Sequence, residues 1–120
     1  MQLRFHNTLT KSKDVLHTRE ERKVNMFVCG PTVYDFSHLG HAKTYVQFDL
    51  LARVMRVAGY DVFYLQNITD IDDKIIERAK ESGLDWRSLS EQFETEYHQD
   101  MGTLNVTAIS GKRITIARIP

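Results

Sequence analysis

The sequence is short of the residues that staple, break or anchor a chain. It has one cysteine in 120 residues, so an internal disulfide framework and a self-sufficient multi-cysteine zinc module are both excluded. A reduced, cytosolic setting is the reading that follows. Two prolines and six glycines rule out a collagen, and no tandem repeat or low-complexity tract is present. Neither charge sign is in excess: 16 Lys plus Arg face 16 Asp plus Glu, which argues against a generally basic nucleic-acid binder. No apolar run approaches the roughly 18 residues of a membrane span, and charges recur throughout the first 25 positions. Neither a signal peptide nor a membrane anchor is expected.

What is present is a hydrophobic fraction of 42%, enough for one domain with a real core. The zero net charge hides segregation. Residues 61–100 hold eleven acids and four bases, residues 1–30 three acids and six bases, and residues 101–120 three bases and no acid. The acids of 61–100 interleave with Ile75, Ile76, Leu89 and Phe93, as on the solvated side of helices.

Alternating strands and helices are expected. A short strand lies around Leu3–Asn7, followed by a polar turn through Thr10–Asp14 and charged sequence to Lys23. Val24–Cys29 reads as a buried strand ended by Gly30-Pro31-Thr32. From His38 to Ala58, Tyr45, Phe48, Ala52 and Met55 recur at helical spacing; Val46, Leu50, Val54 and Val57 form a second stripe, which predicts a helix covered over much of its circumference. Gly59 is its stop, and Tyr60–Gln66 is the next strand. Strand, crossover helix and strand predict a parallel pair. A further helix is expected after Asp70, capped by it and running to Gly83. Another begins near Ser88, where Ser88 and Glu91 have capping-box spacing, with Leu89, Phe93, Tyr97 and Met101 on one face. Trp86 and Phe93 read as packing residues.

Ligands of open α/β sheets bind beyond the carboxyl ends of strands, where helix N-termini favour anions. That place carries Cys29-Gly30-Pro31-Thr32-Val33-Tyr34-Asp35-Phe36-Ser37-His38-Leu39-Gly40-His41. Two histidines one turn apart, with Gly40 between them to permit close approach, suit the charge that builds on phosphate oxygens when the α-phosphate of a nucleoside triphosphate is attacked. A histidine pair on a helix is also a common surface or packing feature. A nucleophilic Cys29 working with His38 or His41 competes, with Asp35 as the nearest acid. Asp70, Asp72 and Asp73 do not make an EF-hand: the sixth and twelfth positions are Ile75 and Glu81, so a capped acidic helix start is expected instead.

Cys29-Gly-Pro-Thr-Val-Tyr-Asp, then His38-Leu-Gly-His41-Ala-Lys-Thr-Tyr, then Gln66-Asn-Ile-Thr-Asp-Ile-Asp-Asp-Lys-Ile-Ile-Glu-Arg-Ala79 together resemble the amino-terminal part of the cysteinyl-tRNA synthetases. The opening Leu3–Thr10 resembles that family's first strand, and the likeness covers residues 3–106. It implies a Rossmann-like α/β fold, a class I synthetase parallel sheet present as an incomplete first half. By the resemblance, His38 and His41 are catalytic and bind ATP together with Gly40. Gly30, Thr32, Thr44, Asn67 and Thr69 line the cysteine and adenylate pocket. Cys29 is one of four zinc ligands, the others absent from this chain. The bland alternatives are a core thiol for Cys29, a helix cap for Thr69 and backbone satisfaction for Asn67.

The implied reaction is ATP-dependent activation of L-cysteine and its transfer to tRNA-Cys in the cytoplasm. This chain is expected to be inactive alone. The cysteine ligase of mycothiol synthesis shares much of the pattern; a non-catalytic adenylate-binding remnant and a small nucleotidylyltransferase are the other readings. Residues 1–106 are taken as the amino-terminal part of the catalytic domain. Residues 107–120 are a tail in which the likeness ends at about Ser110, as a frameshift, a truncation, a designed boundary or divergence would give. Loss of the remaining half predicts an exposed sheet edge and apolar face, and with them self-association or a complementing fragment.

Overall fold

Val24, Met26 and Val28 turn inward from an extended segment whose alternate residues, Lys23, Asn25 and Phe27, are exposed. Val62, Tyr64 and Gln66 do the same against Asp61 and Phe63. These are β3 and β4 of a chain that runs β1 (Arg4–Asn7), β2 (Ser12–Val15), β3 (Lys23–Val28), α1 (Leu39–Val57), β4 (Asp61–Ile68), α2 (Asp73–Ser82), α3 (Trp86–Thr103) and β5 (Ile114–Thr115). The computed structural model describes residues 1–109 and the backbone of 114 and 115. Beyond that backbone, the stretch from Ser110 onward, where the likeness was expected to end, lies outside the described residues.

β3 and β4 pair in parallel, Val24 opposite Val62 and Val28 opposite Gln66, as the strand–helix–strand reading requires. β5 adds in parallel on the other side of β4, giving the order β3-β4-β5. α1 and α3 cover one face: Tyr45, Ala52 and Met55 pack with Val28, Val62, Tyr64, Leu89, Phe93, Tyr97 and Met101 in a single core. Leu89, Phe93, Tyr97 and Met101 are all buried on α3, as their spacing predicted, and Trp86 is half-buried against the same core.

Four local expectations are corrected. Part of the predicted turn at Thr10–Asp14 is strand: β2 pairs antiparallel with β1 in the register Arg4 to Val15, and the turn sits at residues 8–11. Hydrogen bonds from Ser12, then Thr10 and Asn7, hold the Asp14 carboxyl below its usual range. Asp72, not Asp70, caps α2, with its carboxylate accepting from Lys74 N at 2.9 Å. Asp70 loses because the chain is still extended there: Thr69 N–H donates to Pro31 O at 3.0 Å and Val33 N–H to Thr69 O at 3.1 Å. α3 starts at Trp86, because Asp85 accepts from both Arg87 N and Ser88 N, which places Ser88 inside the helix. Finally, the second stripe of α1 is open to solvent, with Leu50 60% and Val57 85% exposed. No described element lies over it.

Gly59 stops α1 as predicted, at C′ with φ 87°. The acidic helix start behaves as a cap, and among the described residues no three His, Cys, Asp or Glu side chains form a metal-holding group.

Candidate functional site

The ends of β3 and β4 run on side by side. Thr32 and Thr69 form an isolated parallel bridge beyond the ladder. Two residues earlier, Gly30 N–H donates to Asn67 Oδ1 at 2.8 Å, so Asn67 does satisfy a backbone group, and across elements. A Cβ on Gly30 would lie 1.6 Å from the Asn67 carbonyl oxygen. Glycine is therefore required at 30, because two backbones touch there. The structure thus brings Gly30, Thr32, Asn67 and Thr69 together.

The second group sits at the start of α1. His38 is the N-cap, extended at φ −122° and ψ 176°, and its Nδ1 accepts from Gly40 N at 3.1 Å. The His38 N–H in turn donates to His41 Nδ1 at 3.1 Å, closing a reciprocal capping box made of two imidazoles. Their rings lie 4.0 Å apart. A Cβ at Gly40 would come within 2.9 Å of His38 Cε1, so glycine leaves that ring its place.

This geometry fixes the tautomers. Each Nδ1 accepts a backbone N–H and carries no proton, so each neutral ring is protonated at Nε2. Neither Nε2 is bonded to a described residue, leaving two N–H donors at a helix N-terminus whose dipole favours anions. Burial, and then the neighbouring His38, push the His41 pKa below its ordinary value. A neutral donor at neutral pH follows. Thr44 is turned back on its own helix, donating to Gly40 O at 3.0 Å.

Cys29 is exposed at the end of β3, its thiol 3.8 Å from Gly30 O. The nucleophile reading finds no orienting acid, because both Nδ1 atoms are engaged by backbone and Asp35 faces Arg78 at 3.9 Å. Zinc is not accommodated by these residues alone: Cys29 belongs to no group of three or more metal-ligating side chains among the described residues. A hollow of about 350 Å³ lies beside His38, lined by Leu39, Ala42, Met101 and Leu104. A larger one, about 750 Å³, lies over the β1–β2 hairpin and touches none of the motif residues.

Sequence reading missed two polar residues beneath this site, Tyr45 and Gln66, because one was counted in an apolar stripe and the other in a strand. The Tyr45 hydroxyl donates to Cys29 O at 3.4 Å. Burial above all pushes the Tyr45 and Tyr64 hydroxyls up to about 12, so both keep their protons.

The model of the tRNA synthetases class I (C) catalytic domain matches residues 15–119. Curated relatives include a cysteine–tRNA ligase of Aeropyrum pernix, 47% identical over 113 residues, which are 94% of this chain and 24% of that protein. Another, of Pyrococcus horikoshii, is 52% identical over 106 residues, 88% of this chain and 22% of that protein. The chain spans about a quarter of the length of these relatives. In fold it is similar to a Mycobacterium tuberculosis methionyl-tRNA synthetase bound by methionyl-adenylate, with a TM-score of 0.68 and 24% identity over 78% of this chain and 19% of that one. The parallel sheet is accordingly part of a Rossmann-like class I fold, and the chain, spanning about a quarter of its relatives' length, belongs to the class I cysteinyl-tRNA synthetase family.

Proposed function

We propose that this chain carries the nucleotide-facing part of a cysteine–tRNA ligase site, the part that forms cysteinyl-adenylate. The observation that supports it most is the pair of Nε2–H donors at the start of α1. In the reaction the carboxylate oxygen of L-cysteine forms a bond to the α-phosphorus of ATP, and the bond to the bridging oxygen breaks, releasing pyrophosphate. Charge grows on the phosphate oxygens, and N–H groups fixed by the helix meet it without reorganising. His38 and His41 are the catalytic donors, and Gly40 keeps the approach open. Gly30, Thr32, Asn67 and Thr69 form the wall against which the adenylate lies, with Thr44 at its helix side.

Cys29 supplies one of the four donors a zinc site takes, and thiol selection by zinc needs further ligands that the described residues do not gather around it. The complete reaction, with transfer to tRNA-Cys in the cytoplasm, belongs to a longer polypeptide or to this chain joined by a complementing fragment. Among the described residues no helix is long and apolar enough to cross a membrane.

Calorimetric titration with a stable cysteinyl-adenylate analogue tests the reading. Saturable binding by the parent, lost in His38→Ala and weakened in His38→Asn, which keeps a cap acceptor, is expected. Parent-like binding by His38→Ala, with circular dichroism showing the helix intact, would overturn it.

A further inference from the structure

The two halves of the site are joined by a side chain that belongs to neither. Between β3 and α1 lie residues 29–38: Gly30, Pro31 and Val33 are bonded across to Asn67 and Thr69, whereas from Tyr34 toward the cap of α1 the hydrogen bonds are local, Tyr34 N–H to Thr32 O and Phe36 N–H to Asp35 Oδ1. A local connection of that kind does not by itself fix the start of α1 relative to Cys29. Tyr45 adds a direct tie between them. It is 4% exposed, one turn into α1 beyond His41. Its ring lies nearly parallel to that of His41, at 17° with centroids 6.3 Å apart, while its hydroxyl donates to the Cys29 carbonyl.

Behind Tyr45 the support continues. Tyr97, from α3, meets the Tyr45 ring edge-on at 5.6 Å and donates its hydroxyl to Gln66 Oε1 at 3.1 Å. Gln66 and Tyr97 are both buried. The Gln66 side chain closes the floor under Gly30, its Cγ standing 3.2 Å from where a Gly30 Cβ would be. Packing alone asks only for an aromatic ring at 45. The hydroxyl is surplus to packing, and a buried hydroxyl is costly unless it is used.

We propose that Tyr45, backed by Tyr97 and Gln66, is a positioning residue that ties the Cys29–Gly30 turn to the imidazole pair, so that groups facing a ligand from the strand and from the helix keep one relative placement. This rests on the adenylate-site reading for its consequence, but its geometry can be tested without that reading.

The experiment compares the isotope-labelled chain with Tyr45→Phe and Tyr45→Leu by NMR and by titration with the same adenylate analogue. Tyr45→Phe keeps the ring: the Cys29 carbonyl ¹³C resonance shifts, the His41 ring signals stay, and thermal stability changes little. Analogue affinity falls about fivefold, the worth of one hydrogen bond of ordinary net strength. Tyr45→Leu moves the His41 ring signals as well. A Tyr45→Phe variant whose Cys29 carbonyl resonance equals the parent's overturns the proposal, whatever Tyr45→Leu does to folding. If the parent does not bind the analogue, the adenylate reading fails while the carbonyl shift still decides the role of Tyr45.

Discussion

The N–H of Gly30 and the side-chain oxygen of Asn67 meet at 2.8 Å across the ends of two parallel strands, and the backbones behind them are too close for any side chain. Gly30→Ala must push those strands apart. We expect it to lose about 3 kcal/mol or more, the upper range for overpacking, because the opposing atom is a backbone oxygen. Urea denaturation followed by circular dichroism measures it; a midpoint equal to the parent's would show that the strand ends are not held as described.

Asp49 is a second buried anchor. Its carboxylate, 6% exposed, accepts from Thr107 N at 2.8 Å, Ala108 N at 2.6 Å and Arg53 Nε at 2.6 Å. It fastens to α1 the segment that leads toward β5. Asp49→Ala leaves two backbone N–H groups without that acceptor and should cost about 3 kcal/mol. Hydrogen exchange should show early loss of protection at Thr107 and Ala108, and protection surviving there would contradict the role.

His41 gives stability a pH dependence. Its folded pKa is depressed by burial and by His38, so below the ordinary value of 6.5 the unfolded chain binds the proton more readily. The contribution is complete above pH 6.5 and is lost as pH falls through the lower folded value. Denaturation midpoints taken from pH 7.5 down to 5 should decline in the parent and less steeply in His41→Asn. Equal slopes would mean that another group sets the decline.

One sheet face and one helix flank are apolar and open. Phe27 on β3 and Phe63 on β4 are 57% and 47% exposed, on the face away from α1, and Leu50 and Val57 form a separate exposed apolar flank on the helix. Concentration-dependent self-association is expected in size-exclusion chromatography with light scattering, reduced in a Phe27→Ser, Leu50→Glu double variant. A clean monomer at high concentration would show the face to be tolerated in water.

Much of this was legible where one physical signal acted alone. The apolar stretch Val24–Cys29 closed by Gly30-Pro31-Thr32 and the 3.6-residue spacing in Tyr45–Met55 specified β3, α1 and, with the strand that follows, the parallel pair, although the reading of a buried strand missed that Asn25 and Phe27 are exposed on one face. Errors arose where distant contacts decided. Asp70 and Asp72 are equally good caps in sequence, and the bridge between Thr32 and Thr69 chose between them. Ser12–Val15 carries little strand propensity and is a strand because β1 lies beside it. The stripe Val46, Leu50, Val54 and Val57 was read as covered, yet periodicity reports an apolar flank and not what lies over it. In the candidate site, the motifs pointed to the stretch, but the proton positions on the two imidazoles and the hydroxyl of Tyr45 belong to hydrogen bonds that only the folded chain displays.

The imidazole capping box has a further implication for mutational tolerance. At His38 and His41 one ring nitrogen starts a helix while the other, on the far side of the same ring, faces outward. A lysine or arginine would offer donors but no acceptor, and an ionised aspartate the reverse. Imidazole and carboxamide carry both on separate atoms, whereas a serine or threonine hydroxyl carries both on one short-reaching oxygen. At position 38 a lysine, arginine or alanine therefore loses the helix start, whereas an aspartate keeps the cap and loses only the second donor, so the two duties of the ring are separable by substitution.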